Sequence, residues 1–558
     1  MKDRLLIGLL LAAVVLVYAN TLVNQFVMDD DLFITTNAQV TDPSLHRLLS
    51  ESRISRVFRP VTFATLALNW ALSGAQPPGY HLLNLILHAG VTWLLFILLQ
   101  EMLGDSPEGK TVAFVAALLY AVHPIHTEAV ASVVGRAELL AAGFLLAGWI
   151  LHLRDRPISS LVCFALAMLS KESAVAFFPL VLLGDFAMGK WKPRLRYALA
   201  AGLTLLYLGV LWKVQGGRLG RPEISMADNP LAYLPTGWRI LNALRLAWKY
   251  VALQVYPAVL SCEYSFNQIP VYRDWRHTLP AALATAAVVG VWIRALWKRQ
   301  AGWALAGVIY FAGFAATANI LVPTGTIMGE RLAYLPSAGF CLLAALGWNW
   351  LRQKKEIPAW GLLGAIVVVL SVRTVVRNRD WKDAFALYSS AVRAVPNDAR
   401  MHSGLAGQYF ERNQLDLAAR EYQIALRINP DFPDSLANYA ALEFQRGNDQ
   451  AAGRMMEKAV RMSGRNNINY DFMVVTFSAI LMKTNHADGA LEYLNREITE
   501  APEYAPAWSM RAALHFEQGE HAAARTDAET ALRLNPGDFQ AQDVLRRLDA
   551  SAPSPPSH

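Results

Sequence analysis

Three consecutive aspartates, Asp29, Asp30 and Asp31, follow the first long hydrophobic run of the chain. Ionised carboxylates are costly near a bilayer, so acids at its boundary mark functional sites more often than packing sites. One member of the adjacent pair Asp29 and Asp30 can serve as a general base that deprotonates an incoming hydroxyl. The spacing of Asp29 and Asp31 allows a second interpretation, a divalent cation that bridges phosphate oxygens. A solvated helix cap is the structural alternative.

A second polar segment lies between two later hydrophobic runs. His123 and His126 are three residues apart, a spacing that can place both imidazoles on one metal ion, although Pro124 disrupts regular helix between them. Capping of the hydrophobic run, with bonds to backbone or water, is the structural alternative for these rings. Contact with a substrate is the third possibility.

Cations recur in segments of the same kind. The guanidinium of Arg136 presents a fork of donors that suits phosphate or a carboxylate, and an ion pair with Glu128 or Glu138 is its structural alternative. The same choice between substrate contact and a structural role applies to Arg59, to Lys171 beside Glu172 and to Arg331 beside Glu330.

Hydrophobic spans must position these residues. The chain has 558 residues, of which 54% are hydrophobic and 17% are charged, whereas soluble domains carry about 25% charged residues. Because a span needs about 20 apolar residues, the pattern predicts an all-α, polytopic membrane domain over 1–376 with about eleven spans. The predicted spans are 4–23, 80–103, 111–127, 137–153, 158–170, 172–188, 197–213, 277–295, 301–320, 332–351 and 357–376.

Basic segments between the spans predict the orientation, because Lys and Arg concentrate on the cytoplasmic side. A cytoplasmic amino terminus places all four such segments there, at 154–156, 190–194, 297–299 and 352–355. The aspartates, the 124–136 segment and the carboxyl-terminal part then lie outside. Three basic residues after the last span disagree with this scheme, namely Arg373, Arg377 and Arg379.

Two further segments are predicted to be interfacial helices on the outer surface, 59–72 and 238–258. The second is long enough to span, but Arg239, Arg245 and Lys249 lie close to one helical face. A helix with a charged face lies in the membrane interface more readily than it crosses the bilayer.

The residues from 380 onward show a repeat. Pro396 and Pro430 are 34 positions apart, as are Pro502 and Pro536. Small residues precede these prolines by twelve positions, at Ala384, Ala418, Ala490 and Ala524. This pattern predicts tetratricopeptide (TPR) repeats over 380–550, stacked into an α-solenoid with a concave binding face. The proline-containing tail 551–558 is predicted to be disordered.

The charge and the cysteines exclude two classes of protein. The net charge is +7, but the basic residues cluster beside the spans and form no continuous basic face, so a nucleic-acid partner is not expected. Cys163, Cys262 and Cys341 give no framework for disulfide pairing.

Several strings, in this order along the chain, resemble the transmembrane-and-tetratricopeptide-repeat (TMTC) proteins. The strings are Phe26 to Asp30, Phe58 to Thr62, Tyr80 to Asn84, His123 to Val130, Gly135 to Glu138, Ser170 to Glu172 and Glu330 to Ser337. The fourth and fifth are the most specific, and the resemblance covers roughly 24–340 together with the repeats. The short repeat array and compact loops resemble a bacterial member.

The resemblance implies a GT-C fold, which is a multispan glycosyltransferase that uses a sugar, often mannose, linked to a lipid phosphate. It implies a polyprenyl-phosphate donor, inverting transfer to Ser or Thr hydroxyls of a polypeptide, and no cofactor. The catalytic position of the family, an acidic pair after the first span, falls on Asp29 and Asp30. A metal is not expected, although Asp31 departs from the adjacent-pair pattern and keeps the Asp29 and Asp31 metal site open.

The implied transfer needs fixed cations for the charge that develops on the leaving phosphate. Arg136 is the first candidate, and His123 or His126 would orient the sugar or phosphate. The other candidates are Lys171, Arg331, Arg245 and Arg59, with Glu128, Glu138 and Glu330 as supporting carboxylates. The protein would lie in a bacterial inner membrane, with the active site and the acceptor-binding repeats on the periplasmic side.

Two other functions stay open at this point. A transferase of the same fold could modify a lipid-linked or surface glycan instead of a protein. A non-enzymatic membrane scaffold could use the repeats to recruit partners, but it would not need acids and cations gathered at one face of the membrane.

Overall fold

The computed structural model describes residues 2–50, 57–215, 217, 224–465, 467 and 469–551. The secondary structure of these residues is helical and includes no strand, which confirms the all-α prediction. The chain divides into two compact units, Met1–Asp398 and Ala399–His558. This division comes later along the chain than the boundary at 376–380 predicted from composition, so that the helix Ala384–Ala394 falls in the first unit.

The first unit is built from helices. Its α-helices are α1 (Lys2–Tyr18), α2 (Asp29–Phe33), α3 (Ala38–Thr41), α4 (Leu45–Leu48), α5 (Pro60–Ser73), α6 (Pro77–Leu103), α7 (Pro107–Val122), α8 (Thr127–Ala131), α9 (Arg136–Leu153), α10 (Pro157–Ser170), α11 (Phe177–Met188), α12 (Arg194–Val214), α13 (Thr236–Val255), α14 (Trp275–Trp297), α15 (Ala301–Phe314), α16 (Pro336–Lys354), α17 (Glu356–Asp380) and α18 (Ala384–Ala394). Short 3-10 turns include Pro124–His126, Glu172–Ala176 and Glu330–Ala333.

Each predicted span contains a helix, but fewer helices meet the requirements for crossing a bilayer. In the described part of the chain, six are long and apolar enough, namely Asp3–Val23 and the helices α6, α9, α12, α14 and α17. A seventh candidate is the pair Pro107–Val122 and Pro124–Ala131, which is bent by 53° where Pro124 has no N–H for the helical ladder. The helices α10 and α15 are apolar but short. The chain is a membrane protein, whereas the count of eleven spans is not confirmed.

Both segments predicted to be interfacial form helices, α5 and α13, and neither is among the candidate spans. The indole of Trp248 in α13 donates to the Ala281 carbonyl at 3.2 Å and to the Thr285 hydroxyl at 3.0 Å. These bonds join α13 to the candidate span α14. The position of α13 at the membrane interface stays a prediction.

Arg377 explains part of the disagreement with the orientation rule. Its side chain is fully buried, with Nη1 3.0 Å from an Asp380 oxygen and Nη2 3.8 Å from a Glu330 oxygen. The charge is therefore paired inside the protein. A paired, buried charge does not act as a free loop charge that sets topology.

The second unit consists of paired helices. They are α19 (Ala399–Glu411), α20 (Leu415–Ile428), α21 (Pro433–Gln445), α22 (Asp449–Met462), α23 (Tyr470–Lys483), α24 (Ala487–Glu500), α25 (Ala505–Glu517), α26 (His521–Leu534) and α27 (Phe539–Ser551). Residues with positive φ follow the first helix of successive pairs, at Asn413, Gly447, Asn485 and Gly519. A fully buried alanine occupies the equivalent position in the second helix of each successive pair, at Ala418, Ala452, Ala490 and Ala524.

This arrangement confirms the repeats predicted from the alanine and proline spacing. Ala452 and Ala490 are 38 positions apart, and the longer spacing coincides with the connection between Met462 and Tyr470, which separates two successive pairs. Residues 552–558 of the predicted disordered tail lie outside the described residues.

Candidate active site

The aspartate run forms the short helix α2. Met28 precedes it with φ of +52°, a conformation that residues other than glycine rarely adopt. The side chain of Asp30 is fully buried after this turn, whereas Asp29 and Asp31 are exposed. Adjacent acids of the same type therefore have different environments.

Asp30 joins the aspartate run to the turn before α9. Its Oδ2 accepts from the backbone N–H of Val27 and its Oδ1 from that of Val134, both at 3.1 Å. The turn is tightly packed, since a Cβ on Gly135 would lie 2.3 Å from the carbonyl oxygen of Ala129. Burial raises the pKa of Asp30 to about 7, against the opposing effect of the two N–H groups, and the charge of Asp29 adds to the increase. This environment favours a positioning role for Asp30.

We expect Asp30 and Glu330 to contribute less to the stability of the fold as the pH rises from about 4 to about 7. Burial raises the pKa of Asp30 and of Glu330 to about 7, above the ordinary values of 3.8 and 4.5. Over this interval each of these two carboxyl groups binds more protons in the folded chain than in the unfolded chain, so its contribution to stability is complete at low pH and is lost through about pH 7. Thermal unfolding in detergent at several pH values measures the slope. Asp30→Asn, which cannot ionise, should make the slope of stability against pH more positive than in the unaltered chain, and an unchanged slope would contradict the assignment.

Glu330 fixes the segment that follows α13. Its Oε1 accepts from the backbone N–H of Ser261 and from the hydroxyl of Tyr264, both at 2.7 Å. Burial raises its pKa, while the nearby Arg377 opposes the increase. Neither Tyr264 nor Arg377 was identified from the sequence as a site residue, and the basic residues after the last span were the one available signal for Arg377.

Arg331 is held by Glu128, which is buried. The carboxylate of Glu128 forms an ion pair with the guanidinium and accepts from the backbone N–H of Arg331 at 2.8 Å. The side chain of Arg331 is 33% exposed. Glu128 holds the pKa of Arg331 above its usual range, with further contributions from Glu263 and Asp29. A partly open guanidinium therefore lies within electrostatic range of the exposed carboxylate of Asp29.

Arg136 lies in a different environment from Arg331. Its guanidinium is fully buried, and it donates to the Asn84 side chain at 3.0 Å and to the carbonyls of Thr65 and Tyr80, both at 3.1 Å. These bonds connect α5 and α6 to the start of α9. The geometry favours a structural clamp over contact with a donor phosphate.

Replacing Arg136 by Met should therefore reduce stability more than any change at a surface arginine. The apolar side chain would leave buried acceptors on Asn84, Thr65 and Tyr80 without donors, at about 1–3 kcal/mol for each unsatisfied group. The midpoint of thermal unfolding in detergent is the measurement, with the exposed Arg194→Met as the matched control. Equal midpoints for the two variants would rule out the clamp.

A second charged cluster includes Arg59, Glu172, Lys171 and Glu138. Arg59 donates to both carboxylate oxygens of Glu172, at 3.0 and 2.7 Å, and Lys171 forms an ion pair with Glu138. Burial raises the pKa of Glu172, but Arg59 outweighs it and brings the pKa down to about 2. Burial lowers the pKa of Lys171, against the attraction of Glu138. The structure thus brings Arg59 and Lys171 together, each with its own carboxylate.

Tyr207 of α12 lies beside this cluster, although no sequence pattern pointed to it. The charges of Glu172 and Arg59 both act on its hydroxyl, which is buried and has no hydrogen-bond partner among the described residues. A polar contact from a bound molecule could satisfy that hydroxyl.

The two histidines are buried and bonded. The Nδ1 of His123 accepts from the Ile125 N–H at 3.2 Å, so its Nε2 donates to the Gln254 carbonyl at 2.9 Å. His126 contacts the Tyr120 carbonyl at 2.9 Å and the Ser337 hydroxyl at 2.7 Å. These contacts match the capping alternative and leave neither ring facing a substrate.

Arg245 and Asp31 are the remaining candidates. Arg245 donates to the Pro270 carbonyl at 3.1 Å and lies 4.3 Å from the ring centre of Tyr272, so it packs on the 270–272 segment. Asp31 lies two residues after Asp29 on one helix, and side chains at that spacing do not face each other. Across the described residues, no three or more His, Cys, Asp or Glu side chains gather as a metal-binding group.

Comparison with known proteins gives matches over both units. The Tetratricopeptide repeat family matches residues 371–431 with one profile and residues 505–538 with another. The structure of YrrB, a TPR protein, has a TM-score of 0.24 at 18% identity, and the match covers 29% of this chain and 84% of that one.

Curated relatives match most of the chain. The protein O-mannosyl-transferase F38B6.6 of Caenorhabditis elegans is 31% identical, over 76% of this chain and 63% of its own length. Human TMTC3 is 29% identical over 76% of this chain and 51% of its own length, and mouse TMTC4 is 26% identical over 73% and 64%. The chain thus spans between about half and two thirds of the length of these relatives. It is a homologue of the TMTC proteins that are named as protein O-mannosyl-transferases, and it carries tetratricopeptide repeats.

Proposed function

We propose that the chain is a membrane glycosyltransferase that moves a mannose-like sugar from a polyprenyl-phosphate donor to Ser or Thr hydroxyls of a polypeptide. The observation that carries the proposal is the exposed carboxylate of Asp29 within electrostatic range of the partly exposed guanidinium of Arg331, with buried Asp30 beside the first and buried Glu128 paired with the second. The relatives, which are named as protein O-mannosyl-transferases, support the reaction class and the acceptor.

Asp29 is the general base of the proposed reaction. Its carboxylate is exposed and has neither a hydrogen bond nor an ion pair to another described residue, so it is free to accept a proton. The acceptor oxygen attacks the anomeric carbon from the side opposite the phosphate, and its proton goes to Asp29. The bond from the anomeric carbon to the phosphate oxygen breaks, polyprenyl phosphate leaves with the electron pair, and the configuration inverts.

Arg331 supplies positive charge for the leaving phosphate. A fixed cation acts most strongly where charge develops in the transition state, and Glu128 fixes Arg331 through its side chain and its backbone. The cluster of Arg59 and Lys171, with the unpaired hydroxyl of Tyr207, is a second place for donor phosphate or sugar. Arg136, His123 and His126 act as positioning residues behind the surface.

The repeats bind the polypeptide acceptor, because stacked helix pairs form an extended concave surface suited to an extended chain. The proposed location is a bacterial inner membrane, with Asp29 and the repeats on the periplasmic side. No metal is required, although the Asp29 and Asp31 site stays an alternative that chelation can test.

The direct test is transfer of labelled mannose from polyprenyl-phosphate mannose by the purified full-length chain. A Ser/Thr-containing protein acceptor should gain one labelled hexose on a hydroxyl, identified by mass spectrometry, and the rate should not change with a chelator. Labelling of a lipid-linked glycan in place of the protein would show that the acceptor is a glycan and not a polypeptide. No labelling of either acceptor would reject the enzyme and favour a scaffold.

A further inference from the structure

A cleft of about 490 Å³ opens at the face of the first unit where α1 and α7 begin and where α6, α9 and α11 end. This face carries the basic segments of the sequence, and the cleft includes none of the candidate active-site residues. Apolar side chains of α6, α9 and α11 form part of its wall. Four cations and three carboxylates line it, namely Lys110, Arg154, Lys190, Lys192, Asp3, Glu101 and Asp105.

Three of the cations have capacity for a further ligand. Lys190 is exposed and has no partner within the described part of the chain. The Nζ of Lys110 lies 3.6 Å from Asp3 and 3.7 Å from Asp105, which are long separations for ion pairs. Arg154 directs two nitrogens, at 2.7 and 2.5 Å, to a single oxygen of Glu101. The guanidinium therefore keeps donors that can face the cleft.

The remaining cation has a structural role. The Nζ of Lys192 donates to the Leu153 carbonyl at 3.2 Å and to an Asp155 oxygen at 2.9 Å, which fixes the 190–193 segment beside α9. A left-handed residue, Gly189, ends α11 there, and the guanidinium of Arg299 lies 3.3 Å from the place where its Cβ would stand. Arg299 thus adds positive charge close to the cleft.

Two of the carboxylates are also available to a ligand. The side chain of Asp105 is 95% exposed and that of Asp3 is 52% exposed. A ligand that carried only negative charge would be repelled by these groups. A ligand with a phosphate and an ammonium group would instead pair with both sets of charges.

The surroundings of the cleft are typical of a membrane surface. Trp191 is 56% exposed and makes edge contacts with Phe186 at 5.9 Å and with Tyr197 at 6.1 Å. Tryptophan and tyrosine concentrate at the level of the lipid headgroups, and basic pockets between spans bind phospholipid headgroups.

We propose that this cleft binds a phospholipid headgroup that carries both a phosphate and an amine. The phosphate contacts Lys190, Arg154 and Lys110, and the ammonium group contacts Asp105. The apolar wall holds the glycerol end of the lipid. The site is independent of the proposed sugar transfer.

Native mass spectrometry of the full chain, with phosphatidylethanolamine or phosphatidylglycerol added, tests the site. We expect the double variant Lys190→Gln, Arg154→Gln to bind phosphatidylethanolamine at least about tenfold more weakly, since one charge-assisted hydrogen bond has an effect of that order. Arg194→Gln, an exposed change outside the cleft on the same face, should bind like the unaltered chain. Equal binding by the double variant and this control would overturn the proposal.

Two further experiments identify the ligand. Asp105→Asn should weaken binding of phosphatidylethanolamine and strengthen binding of phosphatidylglycerol, because it removes both the ammonium contact and a repelling charge, and an unchanged preference between the two lipids would remove the ammonium contact. Soluble phosphoethanolamine distinguishes a site for the free headgroup from a site for the whole lipid. If it competes with phosphatidylethanolamine at millimolar concentration, the site binds the free headgroup, whereas failure to compete would support the lipid. Thermal unfolding of each variant shows that the fold is intact.

Discussion

Replacing Asp29 by Asn should lower the rate of sugar transfer by about 10²–10⁴-fold, the usual contribution of a general base. The amide has nearly the same shape as the carboxylate but cannot take the proton of the acceptor hydroxyl. Because the Asp29 side chain is exposed and makes no hydrogen bond or ion pair with another described residue, the fold should not change. Initial rates at saturating donor and acceptor, with binding of polyprenyl-phosphate mannose measured separately, give the result.

Asp31→Asn is the matched control, since Asp31 is also exposed and lies on the same short helix. We expect it to keep nearly full activity. A metal site would replace the base if two results were found together. Both variants would lose activity equally, and the unaltered chain would lose activity on chelation and regain it when a divalent cation is added. Full activity in Asp29→Asn would reject Asp29 in either role.

Asp30→Asn distinguishes positioning from catalysis. Asp30 is buried and accepts two backbone hydrogen bonds, so its amide variant should lose stability along with activity. Asp29→Asn should lose activity alone. A stable but inactive Asp30→Asn variant would transfer the base assignment from Asp29 to Asp30.

Replacing Arg331 by Gln should lower the rate by about 10²–10³-fold, as expected for one preorganised group that stabilises developing charge. The glutamine keeps polar contact with Glu128 but removes the positive charge. Arg331→Lys should recover part of the rate, because it restores the charge without the guanidinium fork that suits phosphate. Transfer rates are compared for donors whose phosphate is a better or a poorer leaving group. This comparison measures whether the lost rate comes from departure of the phosphate.

Glu128→Gln is the companion variant for Arg331. It keeps an acceptor for the backbone N–H of Arg331 while weakening the hold on the guanidinium. We expect a smaller loss of rate than in Arg331→Gln. A normal rate in Arg331→Gln, with a loss in Arg59→Gln instead, would place the donor phosphate at the Arg59 and Lys171 cluster.

Much of the architecture could be predicted from local patterns. Long apolar runs predict membrane helices because each span satisfies its own backbone hydrogen bonds. The recurrence of Ala418, Ala452, Ala490 and Ala524 predicts helix pairs because only small side chains fit at that closely packed position. The span count was not obtained in this way, because length and hydropathy do not determine whether short helices such as α10 and α15 cross the bilayer.

The chemistry of individual side chains was harder to predict. By itself, the sequence determined that acids, imidazoles and cations concentrate in a few polar segments, because residue type and spacing are local properties. Only the tertiary structure decided which groups are exposed and which are already bonded. Asp29 and Asp30 are identical in type, but a turn at Met28 exposes one and buries the other. Arg136 matched the expected phosphate fork, but contacts with distant α5 and α6 use that fork inside the protein, whereas Arg331 pairs with Glu128 and keeps a partly exposed side chain.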